Sequence, residues 1–377
     1  MKFPVKIDGG LSLSLSMLSG VSMGDIVVRA GRSVFDMIKD GGFDWNRVTH
    51  YIGPGAGPRW LMASGFDLTL LKNEVLGNRV PVTLVGSSAG ALRFAAWIQP
   101  EYEKSYRNLM EAYVSMTFTR RDNSGSILRA ISTIINDYIE DDALPFALTS
   151  RRYRLAIIAA RARNMTASER SLLQGLGMGA AFLFNALHRS WIQLFFQRVV
   201  FYGGAIPPPF CLKKGFKGTF VPLDVVNFKH VIMASSSIPL VIDGVRDIYG
   251  AQNGIYRDGG LTDYHLNQRY AFKEDDVTLL FSHQRRIVPG WMDKKLTYRK
   301  PLGENLENLL MVYPSEGFVQ KLPGGKVPNR QDFKTFVNDP KTRMENWRKA
   351  VKMSETLGEE FLEMAESGKI RTLVKKL

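Results

Sequence analysis

The sequence predicts an α/β fold, with a mostly parallel central sheet flanked by helices. Three observations predict it. A β-branched and aromatic run, Val48-Thr49-His50-Tyr51-Ile52, leads into a glycine loop, Gly53-Pro54-Gly55-Ala56-Gly57-Pro58-Arg59, and a helical pattern follows over about Trp60 to Asn73. A second apolar run, Val80 to Val85, suits a buried strand, ends at Gly86, and gives way to a helix over Ala89 to Ile98. Strand, loop, helix, strand, tight turn, helix is the order of a parallel sheet covered by helices.

The remaining elements follow in chain order. Residues 1–47 show little pattern beyond a helix around Ser33 to Lys39. Residues 101–150 read as mostly helical, and Tyr153 to Ala160 as another core strand. Met178 to Val200 reads as one long amphipathic helix, because Asn185, Arg189, Gln193 and Gln197 recur every four residues while Phe182, Phe184, Leu187, Trp191, Leu194, Phe195 and Phe196 fill the other positions. Pro207-Pro208-Pro209 closes that region. Val231 to Asp258 is turn-rich, Val277 to Ser282 is a strand candidate, and helices are expected near Arg343 to Ser354 and Leu357 to Ser367.

Composition narrows the class. With 377 residues, 45% hydrophobic and 23% charged, the chain is neither a disordered polymer nor a polytopic membrane protein. A single cysteine, Cys211, excludes an intramolecular disulfide and any metal site built from several thiolates, and fits a reducing, cytoplasmic setting. Leu11 to Met23 is broken by serines and glycines and does not read as a signal peptide. The longest uncharged apolar run, Ser171 to His188, contains Gln174, Asn185 and His188 and is not expected to span a membrane. The net charge of +14 favours anionic partners. From Arg151 to Lys217 eleven basic residues face one acid, Glu169, among aromatic and leucine side chains. Such company suits the periphery of an anionic membrane better than nucleic acid, although a core or dimer contact would use the same face.

Three motifs carry chemistry. Gly86-Ser87-Ser88-Ala89-Gly90 fits G-x-S-x-G, a sharp strand-to-helix turn that exposes a serine hydroxyl beside a helix N-terminus. Read blandly, it is a turn with a capping serine. The glycine loop lacks the Lys-Ser/Thr of a phosphate-binding P-loop and the spacing of a dinucleotide fingerprint. An oxyanion hole serving Ser88 is the reading that uses both motifs. Tyr256-Arg257-Asp258-Gly259-Gly260-Leu261, preceded by Ala234-Ser235-Ser236-Ser237-Ile238-Pro239, is the third element. Asp258 is a candidate base or a plain turn residue; His230, His265 and His283 are the competing bases, with His283 best placed after a strand.

In this order the motifs resemble those of the patatin-like phospholipases, over roughly residues 48–277. The resemblance rests on Gly55-Ala56-Gly57-Pro58-Arg59, on Gly86 to Gly90 and on Asp258-Gly259-Gly260. Ala56 interrupts the family's glycine run, Trp60 follows its basic residue, and Thr262-Asp263-Tyr264 replaces its following asparagine. The resemblance implies a three-layer patatin-like fold. It divides the chain into an N-terminal extension (1–47), a catalytic domain (48–284) with a basic, aromatic insertion at about 165–210, and a basic, largely helical C-terminal extension (285–377). It implies a Ser–Asp dyad, Ser88 as nucleophile and Asp258 as base, with Gly55, Ala56 and Gly57 around the oxyanion and Arg59, Gly86, Gly90, Gly259 and Gly260 in support. The implied substrate is a phospholipid or lysophospholipid ester, with no metal or organic cofactor. Acyl transfer through the same dyad and an inactive lipid-binding protein are the alternatives.

Overall fold

The computed structural model describes residues 24–377, apart from 120, 213–215 and 266–267. The first 23 residues of the expected N-terminal extension, Leu11 to Met23 among them, and Lys213 and Lys214 of the basic segment lie outside the described residues.

The strands are β1 (Ile26–Ala30), β2 (Val48–Gly53), β3 (Val82–Ser87), β4 (Tyr153–Ala162), β5 (Phe196–Tyr202), β6 (Thr219–Pro222), β7 (Val245–Arg246), β8 (Ile255–Arg257), β9 (Val277–Phe281), β10 (Leu309–Pro314) and β11 (Lys375–Lys376). The helices are α1 (Arg32–Gly41), α2 (Leu61–Lys72), α3 (Ala89–Trp97), α4 (Tyr102–Ser115), α5 (Ser124–Tyr138), α6 (Leu144–Leu148), α7 (Ser171–Leu187), α8 (Phe228–Ser236), α9 (Glu316–Lys321), α10 (Gln331–Thr335), α11 (Pro340–Glu366) and α12 (Ile370–Leu373).

One sheet runs β11-β1-β10-β9-β2-β3-β4-β5-β6, with β8 and β7 branching from β4. Its centre, β10-β9-β2-β3-β4, is parallel, and β1 and β5 pair antiparallel on either side. The expected α/β architecture is therefore present. Chain on both sides of 48–284 supplies strands to this sheet: β1 before it, β10 and β11 after it.

The central strands read as continuous apolar runs because both faces are covered. Alternation assigns the faces. Tyr51, Leu84, Leu155, Ile157 and Leu279 join the helical side, packed with residues of α2, α3, α4, α5, α8 and α11. Ile52, Val85, Ala156, Ile158 and Leu280 join the opposite side, covered by loop residues such as Phe210, Tyr270 and Ile287. At the β4–β5 end, α7 completes that second side through Met178 and Ala181. α2 and α3 are buried almost all round, so neither shows a polar face.

Two expectations are corrected. Met178 to Val200 is not one helix: α7 ends at Leu187, His188 is extended, Arg189 to Leu194 forms a 3₁₀ turn, and Phe196 to Tyr202 is β5. On α7 the polar Asn185 faces inward and donates to Asp293 Oδ1 (2.7 Å), while Phe184 and Leu187, and Trp191 and Leu194 of the following turn, are exposed. The two helices expected near the C-terminus are one, the 27-residue α11.

Candidate active site

β2 and β3 lie side by side and parallel, with Gly53 opposite Gly86, so both carry their following loops to the same edge of the sheet. Ser88 sits between β3 and α3 at φ 51°, ψ −121°, a strained conformation for a side-chain-bearing residue that costs on the order of 1–3 kcal/mol. Glycines make the turn possible by close approach. A Cβ on Gly90 would lie 1.8 Å from the Gly53 carbonyl oxygen, and one on Gly86 would lie 2.7 Å from Gly90. The Ser88 N–H donates to Ser235 Oγ (2.9 Å), whose hydroxyl donates to the Ile158 carbonyl (2.7 Å). Ser87 turns away and donates to the Asp263 carbonyl (2.7 Å).

Asp258 follows β8, and its N–H donates to the Ser237 carbonyl (2.9 Å). Its Oδ1 accepts from the Gly260 N–H (2.7 Å), and its Oδ2 accepts from Ser88 Oγ (2.7 Å). Two side chains 170 positions apart thus meet, both buried. Gly259 permits this: a Cβ there would strike the Ile158 carbonyl oxygen at 1.9 Å. Burial pushes the Asp258 carboxyl above its ordinary range. The Arg330 cation, the Ser88 and Gly260 hydrogen bonds and the Lys294 cation pull the other way.

The glycine loop touches both motifs. A Cβ on Gly55 would stand 3.4 Å from Ser88 Cβ and 3.5 Å from Gly260 Cα. Two of the three expected oxyanion donors are engaged, however. The Gly55 N–H donates to the Tyr264 carbonyl (2.8 Å), and the Ala56 N–H to the Pro54 carbonyl (2.8 Å). Gly57 takes φ 56°, which favours glycine, at the start of a 3₁₀ turn that runs to Trp60 and holds Arg59 half-buried.

The histidines stand apart from the serine. His230 is exposed on α8. His265 is buried, and its Nδ1 accepts from the Val288 N–H (3.0 Å); burial lowers its pKa to about 3, and Lys294, Arg59 and Arg286 add to the effect. His283 packs edge-on against His265 at 5.5 Å and is held neutral mainly by burial. The hydroxyl of Ser88 is bonded to a carboxylate, not to an imidazole.

Two further basic side chains, Lys294 and Arg330, border the site. A Cβ on Gly57 would lie 3.0 Å from Arg330 Nε, and Lys294 Nζ stands 3.9 Å above the Tyr264 ring. Neither belongs to a glycine or serine motif. The α7 helix leans on the turn that carries Lys294 through Asn185, and the 3₁₀ turn after α7 does so through Arg189, which pairs with Asp293 (3.2 Å). Its outer side exposes Leu172, Leu183 and Leu187, at 77%, 63% and 75%. No helix among the described residues is long and apolar enough to cross a membrane.

No family model matches the sequence, and no curated protein matches it. Among solved structures, human GIVD cytosolic phospholipase A2 is similar at 10% sequence identity and a TM-score of 0.39, over 90% of this chain and 63% of that one. The chain thus spans less than two thirds of that structure's length. Similarity this loose transfers neither fold nor activity.

Proposed function

We propose that the chain is a serine acyl hydrolase that cleaves carboxylic esters of phospholipids or lysophospholipids. The observation that carries this reading is the 2.7 Å hydrogen bond from Ser88 Oγ to Asp258 Oδ2, made at a strained turn ahead of a helix N-terminus. As Ser88 Oγ bonds to the ester carbonyl carbon, its proton passes to Asp258, and the carbonyl oxygen becomes an oxyanion. Collapse breaks the bond to the leaving alcohol, which takes the proton back from Asp258 and leaves an acyl-serine. Water then repeats the cycle and releases the carboxylic acid.

A carboxylate of ordinary pKa is a weak base, so the burial that raises Asp258 favours this role. The oxyanion donors would be the N–H groups at Gly57 and at the start of α3, each worth about 3 kcal/mol of barrier. Gly55 and Ala56 would join them if their peptides turned from their present carbonyl partners. Arg59 would flank the hole, while Gly86, Gly90, Gly259 and Gly260 hold the backbones in place.

The leucine-lined outer face of α7 supports a lipid substrate, because contiguous exposed apolar surface suits contact with a lipid aggregate. The test is fatty-acid release from phospholipid vesicles and lysophospholipid by the wild type and by Ser88→Ala. Release by the wild type alone is expected. Equal release by Ser88→Ala would contradict the reading.

A further inference from the structure

The cations around the dyad differ from three arginines buried or half-buried elsewhere in the sheet and its flanks. Arg93 is matched to Asp67 (2.8 Å), Arg198 to Asp263 (2.6 Å) and Arg189 to Asp293 (3.2 Å). Arg59, Lys294 and Arg330 are half-buried, yet among the described residues none of them makes a salt bridge. They come from three separate places: the glycine loop, the turn after Gly290, and the residue just before α10.

Geometry brings them to one place: Arg330 Nε lies 3.0 Å from where a Cβ on Gly57 would stand, two residues before Arg59, and Lys294 Nζ lies 3.9 Å over the ring of Tyr264, which is 3.5 Å from where a Cβ on Gly260 would stand, beside Asp258. Burial lowers the Lys294 pKa to about 7, and the Arg330 and Arg59 charges push it the same way against the pull of Asp258. Asp258 is the carboxylate that faces Lys294 and Arg330, and its oxygens already serve Ser88 and Gly260. Three partly buried cations thus share one carboxylate, and a further anion placed among them offsets the cost of their mutual repulsion. A guanidinium beside a lysine suits phosphate: Arg gives two directed N–H donors, and Lys gives a point charge.

We propose that Lys294 and Arg330, beside Arg59, seat a phosphate head group of the substrate next to the scissile ester, and so select lipids whose phosphate carries no covalently attached cation. The inference rests on the acyl-hydrolase reading. In a phosphocholine lipid the ammonium would be brought toward the same cations and be repelled. In a phosphate monoester the full negative charge would meet them.

The experiment compares kcat/KM for monomeric 1-acyl-lysophosphatidate and for 1-acyl-lysophosphatidylcholine with the same acyl chain. The enzymes are the wild type, Lys294→Gln and Arg330→Gln, with Tm measured for each. A neutral p-nitrophenyl ester is run with the wild type. The wild type is expected to prefer the phosphate monoester at least about tenfold, and each variant to lose about tenfold of that preference, chiefly through KM. Arg330→Lys, which keeps the charge, is expected to retain part of it. A folded wild type that hydrolyses the neutral ester but prefers neither lipid overturns the head-group seat. So does a preference that survives in both glutamine variants. A wild type that hydrolyses none of the three esters removes the acyl-hydrolase reading instead. Inorganic phosphate is expected to inhibit neutral-ester turnover more strongly in the wild type than in Arg330→Gln, and equal inhibition would count against the seat.

Discussion

Asp258→Asn separates the base from the scaffold. In the wild type, Oδ1 accepts from the Gly260 N–H and Oδ2 accepts from Ser88 Oγ, each at 2.7 Å. An asparagine keeps the shape and can keep the Gly260 bond through its amide oxygen. Its NH₂ group then faces Ser88 Oγ as a donor, so the hydroxyl stays held but has nowhere to send its proton. Loss of a general base costs roughly 10²- to 10⁴-fold, or about 3–5 kcal/mol of barrier. Stability runs the other way. Because burial raises the Asp258 pKa, its charged form is penalised in the folded state at neutral pH, and a neutral amide avoids that penalty. The expected outcome is a drop in kcat on a soluble ester of at least about a hundredfold, with no loss of Tm. A folded variant that keeps more than about a tenth of the wild-type kcat would refute Asp258 as the base.

Three further outcomes are expected. The acid limb of kcat/KM should have its midpoint above the ordinary aspartate value of about 3.9, because Asp258 must lose its proton to act, and Arg330→Gln should move that midpoint higher by removing a charge that lowers it; a pH–rate profile of both enzymes checks this. Gly90→Ala should destabilise at the upper end of about 1–3 kcal/mol, since its Cβ meets the Gly53 carbonyl at 1.8 Å, whereas Gly175→Ala on α7, with nothing within 4 Å, should be neutral or stabilising; urea titration compares them. Replacing Leu172, Leu183 and Leu187 together by Ser should leave Tm unchanged and weaken binding to lipid vesicles by about tenfold or more, as read by vesicle co-sedimentation.

The centre of the fold was legible because local chemistry specifies it. Val48 to Gly53, Val82 to Ser87 and the glycines beside them are buried strands and forced close approaches, and both leave plain marks in sequence. The contact between Ser88 and Asp258 could be expected from the order of motifs, although only folding brings the two side chains together. β5 was not, because its residues continue a four-residue polar spacing begun in α7. The member of that spacing in β5, Gln197, donates across to Thr219 Oγ1 on β6 (2.6 Å), so its polarity marks a cross-strand bond and not a solvent-facing helix side. The pairing of β1 with β10 joins segments about 280 residues apart, and nothing local encodes such a contact. Lys294 and Arg330 were invisible for the same reason: each is an ordinary basic residue until the chain closes around Asp258.

Covalent trapping of the nucleophile is the most direct measurement. A fluorophosphonate probe, followed by peptide mass spectrometry, should place one adduct per chain on the peptide containing Ser88, with labelling much slower in Asp258→Asn. An adduct on any other residue, or labelling of Ser88→Ala at the wild-type rate, would contradict the assignment of Ser88.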